Sequence, residues 1–177
     1  MQEDELCRKA KVLRLADINL SKLEDLLRCF GLVLHSVAHG DVIPGSYWGD
    51  CEAGLIQNRL YFRANTPVHS ALHEACHFIC MDDVRKQTLH TDAGGDFEEE
   101  NAVNYLEILL GTALAEVGFE RITADMDAWG YTFRLGSARD WFEQDAEEAR
   151  AWLQCRGLLA KLDALVPPEV TRVGIRS

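Results

Sequence analysis

No CxxC pair occurs in the chain, and its six cysteines (Cys7, Cys29, Cys51, Cys76, Cys80 and Cys155) follow no framework spacing. Free thiols in a reducing cytosol are therefore expected. Long apolar runs are missing as well: the longest stretches fall far short of the length that crosses a bilayer, so no membrane partner is expected. The amino terminus, "MQEDELCRKAKVLRL", has neither the apolar core nor the small-residue cleavage site of a secretory signal, which predicts a cytoplasmic protein. Basic charge is scarce. With 18 Lys and Arg against 29 Asp and Glu, the net charge of −11 opposes a phosphate backbone, and no nucleic-acid partner is expected. No repeat, low-complexity tract or Pro/Gly/Ser linker divides the 177 residues, a length that suits a single domain spanning 1–177. Nothing in the sequence fixes an oligomeric state.

What is present is a set of alternating helix and strand patterns. Leu23, Leu26, Leu27 and Phe30 recur at helical spacing, and Ser21 with Glu24 has the form of a capping box. "LVLHSV" after Gly31 reads as a strand, and the breaker-rich "HGDVIPGSYWGDCEAG" as a turn-bearing loop with room for a short strand around Tyr47. "GLIQNRLYFR" reads as strand, tight turn at Gln57 and Asn58, and strand. Pro67 suits the start of a helix running to about Met81. After the polar "DDVRKQTLHTDAGGD", a helix is expected from about Phe97 to Val117. A break surrounds Gly130, "YTFRL" is a candidate strand, and Ser137 with Asp140 opens a long helix that Pro167 and Pro168 end, ahead of a frayed tail.

The helix after Pro67 carries "HEACH". Residues four apart lie above one another on a helix, so His73 and His77 share a face at a spacing that lets two imidazole nitrogens meet one zinc ion. Glu74 lies 100° round the helix, where a carboxylate can act as general base on a bound water without ligating. A pair of hydrogen-bonded core histidines is the bland alternative.

A zinc site needs a third protein ligand. Counting 100° per residue from Glu99, the apolar Ala102, Val103, Leu106, Leu110, Ala113 and Val117 fall within about 60° of it. Glu99 therefore sits in the middle of the core-facing stripe, where a carboxylate is costly unless paired or coordinated. Its other reading is a carboxylate favoured by the start of a helix. Glu100, His90, Asp92 and Asp96 are rivals by type, with Asp96 better suited to capping the helix. His69 extends the face of His73 and His77 but reads as a surface histidine, and Cys80 as a small buried residue.

The order "RLYFRANTPVHSALHEACHFIC" followed by "EEENAVNYLEILL" resembles the minimal zincin core of the gluzincin type, and within it the ImmA/IrrE family of small cytosolic metallopeptidases. The resemblance covers roughly residues 54 to 110, and HExxH is its specific part. It implies an α+β fold in which a short antiparallel sheet packs on the HExxH helix and further helices. It also implies His73, His77 and Glu99 as ligands of Zn2+, with Glu74 as catalytic base for hydrolysis of a peptide or protein substrate. A peptide could pair as an added edge strand along "LYFR", and Tyr47, His90 and Tyr131 are candidates by type for stabilising the oxyanion. Two other classes fit the same residues: a catalytically silent zinc-binding protein acting in protein-protein interaction, and a small-molecule amidohydrolase.

Overall fold

A computed structural model describes residues 11–49 and 51–166. The end assigned to Pro167 and Pro168, the tail and Cys7 lie outside them. The chain is α+β, and it divides between Gly94 and Gly95 into two compact units. Among the described residues no helix is long and apolar enough to cross a membrane.

In the first unit, α1 (Leu20–Arg28) lies against β1 (Val33–Ser36). Its apolar stripe works as the periodicity predicts, with Leu23 and Leu27 fully buried. The cap differs: Asn19, not Ser21, caps the start of the helix, its side chain accepting from the Ser21 N–H at 3.0 Å. β2 (Gly54–Ile56) and β3 (Arg59–Phe62) form the expected hairpin, with Leu55 opposite Leu60. The turn puts Gln57 at φ 52, and its N–H is held by the Leu89 carbonyl at 2.9 Å.

β1 joins this hairpin on the other side of β3, in parallel, with Leu34 beside Leu60 and Ser36 beside Phe62. The sheet is therefore mixed, in the order β1-β3-β2, and not antiparallel throughout. The loop from 37 to 53 is long enough to carry the chain past β3 before β2 begins. One consequence corrects the expectation for "LYFR". β3 is the central strand, with both edges paired, so no peptide can add to it. β2 is itself partly covered, by a bridge from Ser46 to Gly54 and another from His90 to Ile56. The short strand expected around Tyr47 is, among the described residues, only the first of these bridges. Gly54 has no alternative there: a Cβ would run into the Pro44 carbonyl and the Ser46 amide.

α2 (Val68–Cys80) packs on β2 and β3, and α3 (Asp83–Thr88) is a short turn of helix within the segment read as a loop. Asp82 starts it, accepting from the N–H groups of Val84 and Arg85, both at 2.9 Å.

The second unit is helical. α4 (Phe97–Ala113) packs against α5 (Gly118–Trp129) and α7 (Glu147–Cys155); α6 (Ala138–Gln144) lies on α5 and α8 (Leu158–Asp163) on α7. Asp96 caps α4 as expected, accepting from the Glu99 N–H at 2.9 Å. The helix stops before Val117, because Leu114 and Gly118 (φ 74) turn the chain into α5, a helix the sequence reading did not separate. Gly111 lets the two helices close up, since a Cβ there would stand 2.6 Å from Ile122 Cγ1.

"YTFRL" is not a strand. Gly130, left-handed at φ 106, terminates α5, and the chain crosses to α6 with Phe133 against Trp141 at 5.0 Å. Ser137 opens α6 as predicted, accepting from the Asp140 N–H at 3.0 Å. The expected long helix is three. Asp145 leaves the helical backbone while Arg134 Nε donates to its carboxylate at 2.7 Å, and Gly157 at φ 71 makes the second break. Periodicity alone hides both breaks, because the apolar spacing continues through them.

Cys29, Cys76, Cys80 and Cys155 are free thiols, as expected. Cys51 is not: it is disulfide-bonded. No local spacing around Cys51 announces it.

Candidate metal centre

α2 contains neither glycine nor proline, and its residues are apolar on most sides, so it is held by burial more than by caps. Two tethers fix its first turn. The Val68 N–H donates to the Leu13 carbonyl at 2.9 Å, and the Ala53 N–H donates to Ser70 Oγ at 3.0 Å, tying the helix to the residue before β2. The second contact was not legible in the sequence, where Ser70 is one small polar residue among many.

Eleven of the thirteen residues of α2 are buried; the two that are not are His73 and Glu74. The single opening along this helix thus falls at the first histidine and the carboxylate of HEACH. His77 follows one turn later at the edge of the interior, 9% exposed.

The two imidazoles converge. His73 Nε2 and His77 Nε2 are 3.1 Å apart, and the rings stand at 89° with centroids 4.7 Å apart. Two nitrogens held at ~2.0–2.1 Å by one tetrahedral zinc ion stand about 3.3 Å apart. The pair is within a few tenths of an ångström of that separation. The residues therefore fit a metal ion. Between two neutral imidazoles the same distance also suits an N–H···N hydrogen bond, the alternative that metal analysis separates.

Burial keeps His77 in the form a metal needs. Desolvation, then the neighbouring His73 and the Arg85 charge, lowers its pKa from 6.5 to about 3, so the ring is neutral and its lone pair free of a proton at neutral pH. His69 departs from expectation. It is 1% exposed and no surface residue, because the segment around Leu13 to Leu15 pairs with Thr66 to Val68 and covers the helix start. Its pKa is likewise lowered to about 3, by desolvation first and then by His73 and Arg14.

In the second unit, the candidate third ligands occupy the first turn of α4. Glu98 is exposed, Glu99 is buried at 8% exposure and Glu100 is half-buried. The low exposure of Glu99 agrees with its place in the apolar stripe. The other rivals hold local structure. His90 is exposed and its Nδ1 lies 2.9 Å from Thr91 Oγ1; Asp92 is exposed and accepts from the Gly94 N–H at 2.8 Å; Asp96 is the cap of α4. Cys76 and Cys80 are buried on α2, as read for Cys80.

Of the oxyanion candidates, Tyr47 is 58% exposed beside Trp48, and Tyr131 stacks on Phe133 at 6.3 Å in the second unit. Neither observation gives either residue a catalytic place.

Comparison with known proteins adds no relative: no family model matches the chain, and neither a curated protein nor a solved structure does.

Proposed function

We propose that the protein is a zinc-dependent hydrolase, a metallopeptidase acting on a peptide bond. The observation that carries this reading is the 3.1 Å convergence of His73 Nε2 and His77 Nε2 beside Glu74, at the one opening of an otherwise buried helix. His73, His77 and a carboxylate of the α4 first turn would hold the ion, a nitrogen and oxygen donor set of the kind catalytic zinc sites use. Glu99 is the ligand the apolar pattern selects, and Glu100, half-buried in the same first turn of α4, is its rival by type. Single substitutions separate them.

A bound ion supplies Lewis-acid polarisation of a carbonyl and lowers the pKa of water toward ~7. The chain's own residues do the rest. Burial keeps His77 a neutral donor, so it contributes a lone pair without first losing a proton. Glu74, half-buried and next to His73 in the chain, would accept a proton from the attacking water and return it to the leaving amine. Substrate approaches from the side of His73 and Glu74, because the rest of α2 is covered. The compartment we propose is the cytosol, in keeping with four free cysteines; the Cys51 disulfide argues the other way, and thiol labelling of protein from intact cells decides between them.

The test is metal content and turnover measured together on protein purified without chelator. The wild type should carry one zinc per chain and cleave members of a peptide library. Glu74→Gln should keep the zinc and lose roughly 10²- to 10⁴-fold in turnover. Unchanged turnover in that variant would remove Glu74 from the mechanism. Cleavage of small amides without peptides would reassign the substrate class, and zinc without any turnover would make the protein a metal-holding module.

A further inference from the structure

Away from α2, the second unit contains a cleft of about 410 Å³ between the first turns of α4 and one face of α7. That volume is at the lower end of ligand pockets, room for one long side chain and its flanking backbone. Ala149 and Ala151 leave the space, while Phe97 and Trp152 give it aromatic walls. Glu98 and Glu148, both exposed, add a carboxylate from each helix.

Phe97 is 78% exposed, a large apolar ring at the mouth of a cleft and not over a core. The chain itself shows what the other ring accepts: the Arg156 guanidinium lies 3.4 Å from the centroid of Trp152, the geometry of a cation held by a π face. An anionic ligand would meet two carboxylates against one arginine. A neutral aromatic ligand would leave those carboxylates unused.

We propose that this cleft binds a basic peptide segment, with an arginine or lysine stem between Phe97 and Trp152 and Glu98 and Glu148 as its counter-ions. The net charge of −11 favours such a partner before contact is made. Arg156, exposed at the end of α7, covers the indole when the cleft is empty and swings aside when it fills. The site does not depend on the metal reading, because none of its residues belongs to that donor set.

The experiment is an NMR titration of the full chain, with chelator present, using acetyl-Gly-Arg-Ala-Arg-Gly-amide. The same peptide with glutamate for arginine, and agmatine, are titrated in parallel. Saturable shifts confined to residues 97–101 and 148–156 are expected. Glu98→Gln with Glu148→Gln, both surface changes that should leave the spectrum of the free protein intact, should weaken binding about 10-fold, and Trp152→Ala comparably. Raising salt tenfold should weaken it further. Shifts scattered over the acidic surface, equal binding of the glutamate peptide, an unaffected double variant, or no saturation at millimolar peptide would each overturn the site. Agmatine binding as tightly as the peptide would overturn the peptide assignment.

Discussion

Acidification of the metal-free protein should unfold it through its histidines, well before its carboxylates are neutralised. His69 and His77 each have a folded pKa of about 3 against 6.5 for a solvated imidazole, chiefly because both are buried. The unfolded chain then binds more protons than the folded one between these values. Stability is thus complete above pH 6.5 and falls as pH drops toward 3. At pH 5 one such histidine costs about 2 kcal/mol, and the slope below 6.5 approaches ~1.4 kcal/mol per pH unit for each. Two histidines together would remove about 4 kcal/mol, a large share of the ~5–15 kcal/mol typical of a folded protein. Because both respond to His73, the sum is an upper bound. Equilibrium urea unfolding at pH 7.5, 6 and 5, in chelator, measures the loss. His69→Met, compared with its own stability at pH 7.5, should show roughly half the wild-type loss. Equal stability at pH 7.5 and 5, or a loss unaltered in His69→Met, would refute the claim that these rings are buried neutral.

Three further outcomes follow from the packing and the site. Gly111→Ala pushes a methyl to 2.6 Å from Ile122 Cγ1 and should cost about 1–3 kcal/mol, lowering the melting temperature in calorimetry by several degrees; no change would mean α4 and α5 are farther apart than described. Asp96→Ala removes the cap that accepts from the Glu99 N–H and should cost about 1 kcal/mol in denaturant unfolding, with partial recovery in Asp96→Ser; equal stability of wild type and alanine variant would dismiss the cap. Glu99→Ala and Glu100→Ala, each assayed for bound zinc after dialysis, should differ, with one emptying the site; retention in both would move the third ligand off α4.

What the sequence disclosed was whatever rests on local periodicity. The HEACH pair is legible because four residues of helix fix its geometry without help from the fold, and the Leu55 to Leu60 hairpin because its turn is two residues long. Asp96 and Ser137 could be named as caps since each acts on a backbone N–H three residues away. Long-range partners were not legible. Nothing local tells that β1 lies parallel to β3, that Leu13 covers the start of α2 and buries His69, or that Cys51 is bridged. The breaks at Asp145 and Gly157 were hidden for a related reason: the side-chain pattern continues through them while the backbone turns, one with Asp145 bound to Arg134 and the other on a glycine. Ser70 belongs to the same class, a residue whose place is set by Ala53 and not by its neighbours in the chain.

Zinc K-edge absorption on protein loaded with one equivalent of Zn2+ reads the donor set directly. A four-coordinate first shell of nitrogen and oxygen at ~2.0–2.2 Å is expected, with the outer-shell signature of two imidazoles that disappears in His73→Ala and in His77→Ala. Sulfur at ~2.3 Å, which Cys76 or Cys80 would supply, or a spectrum of hydrated zinc free in solution, would contradict it.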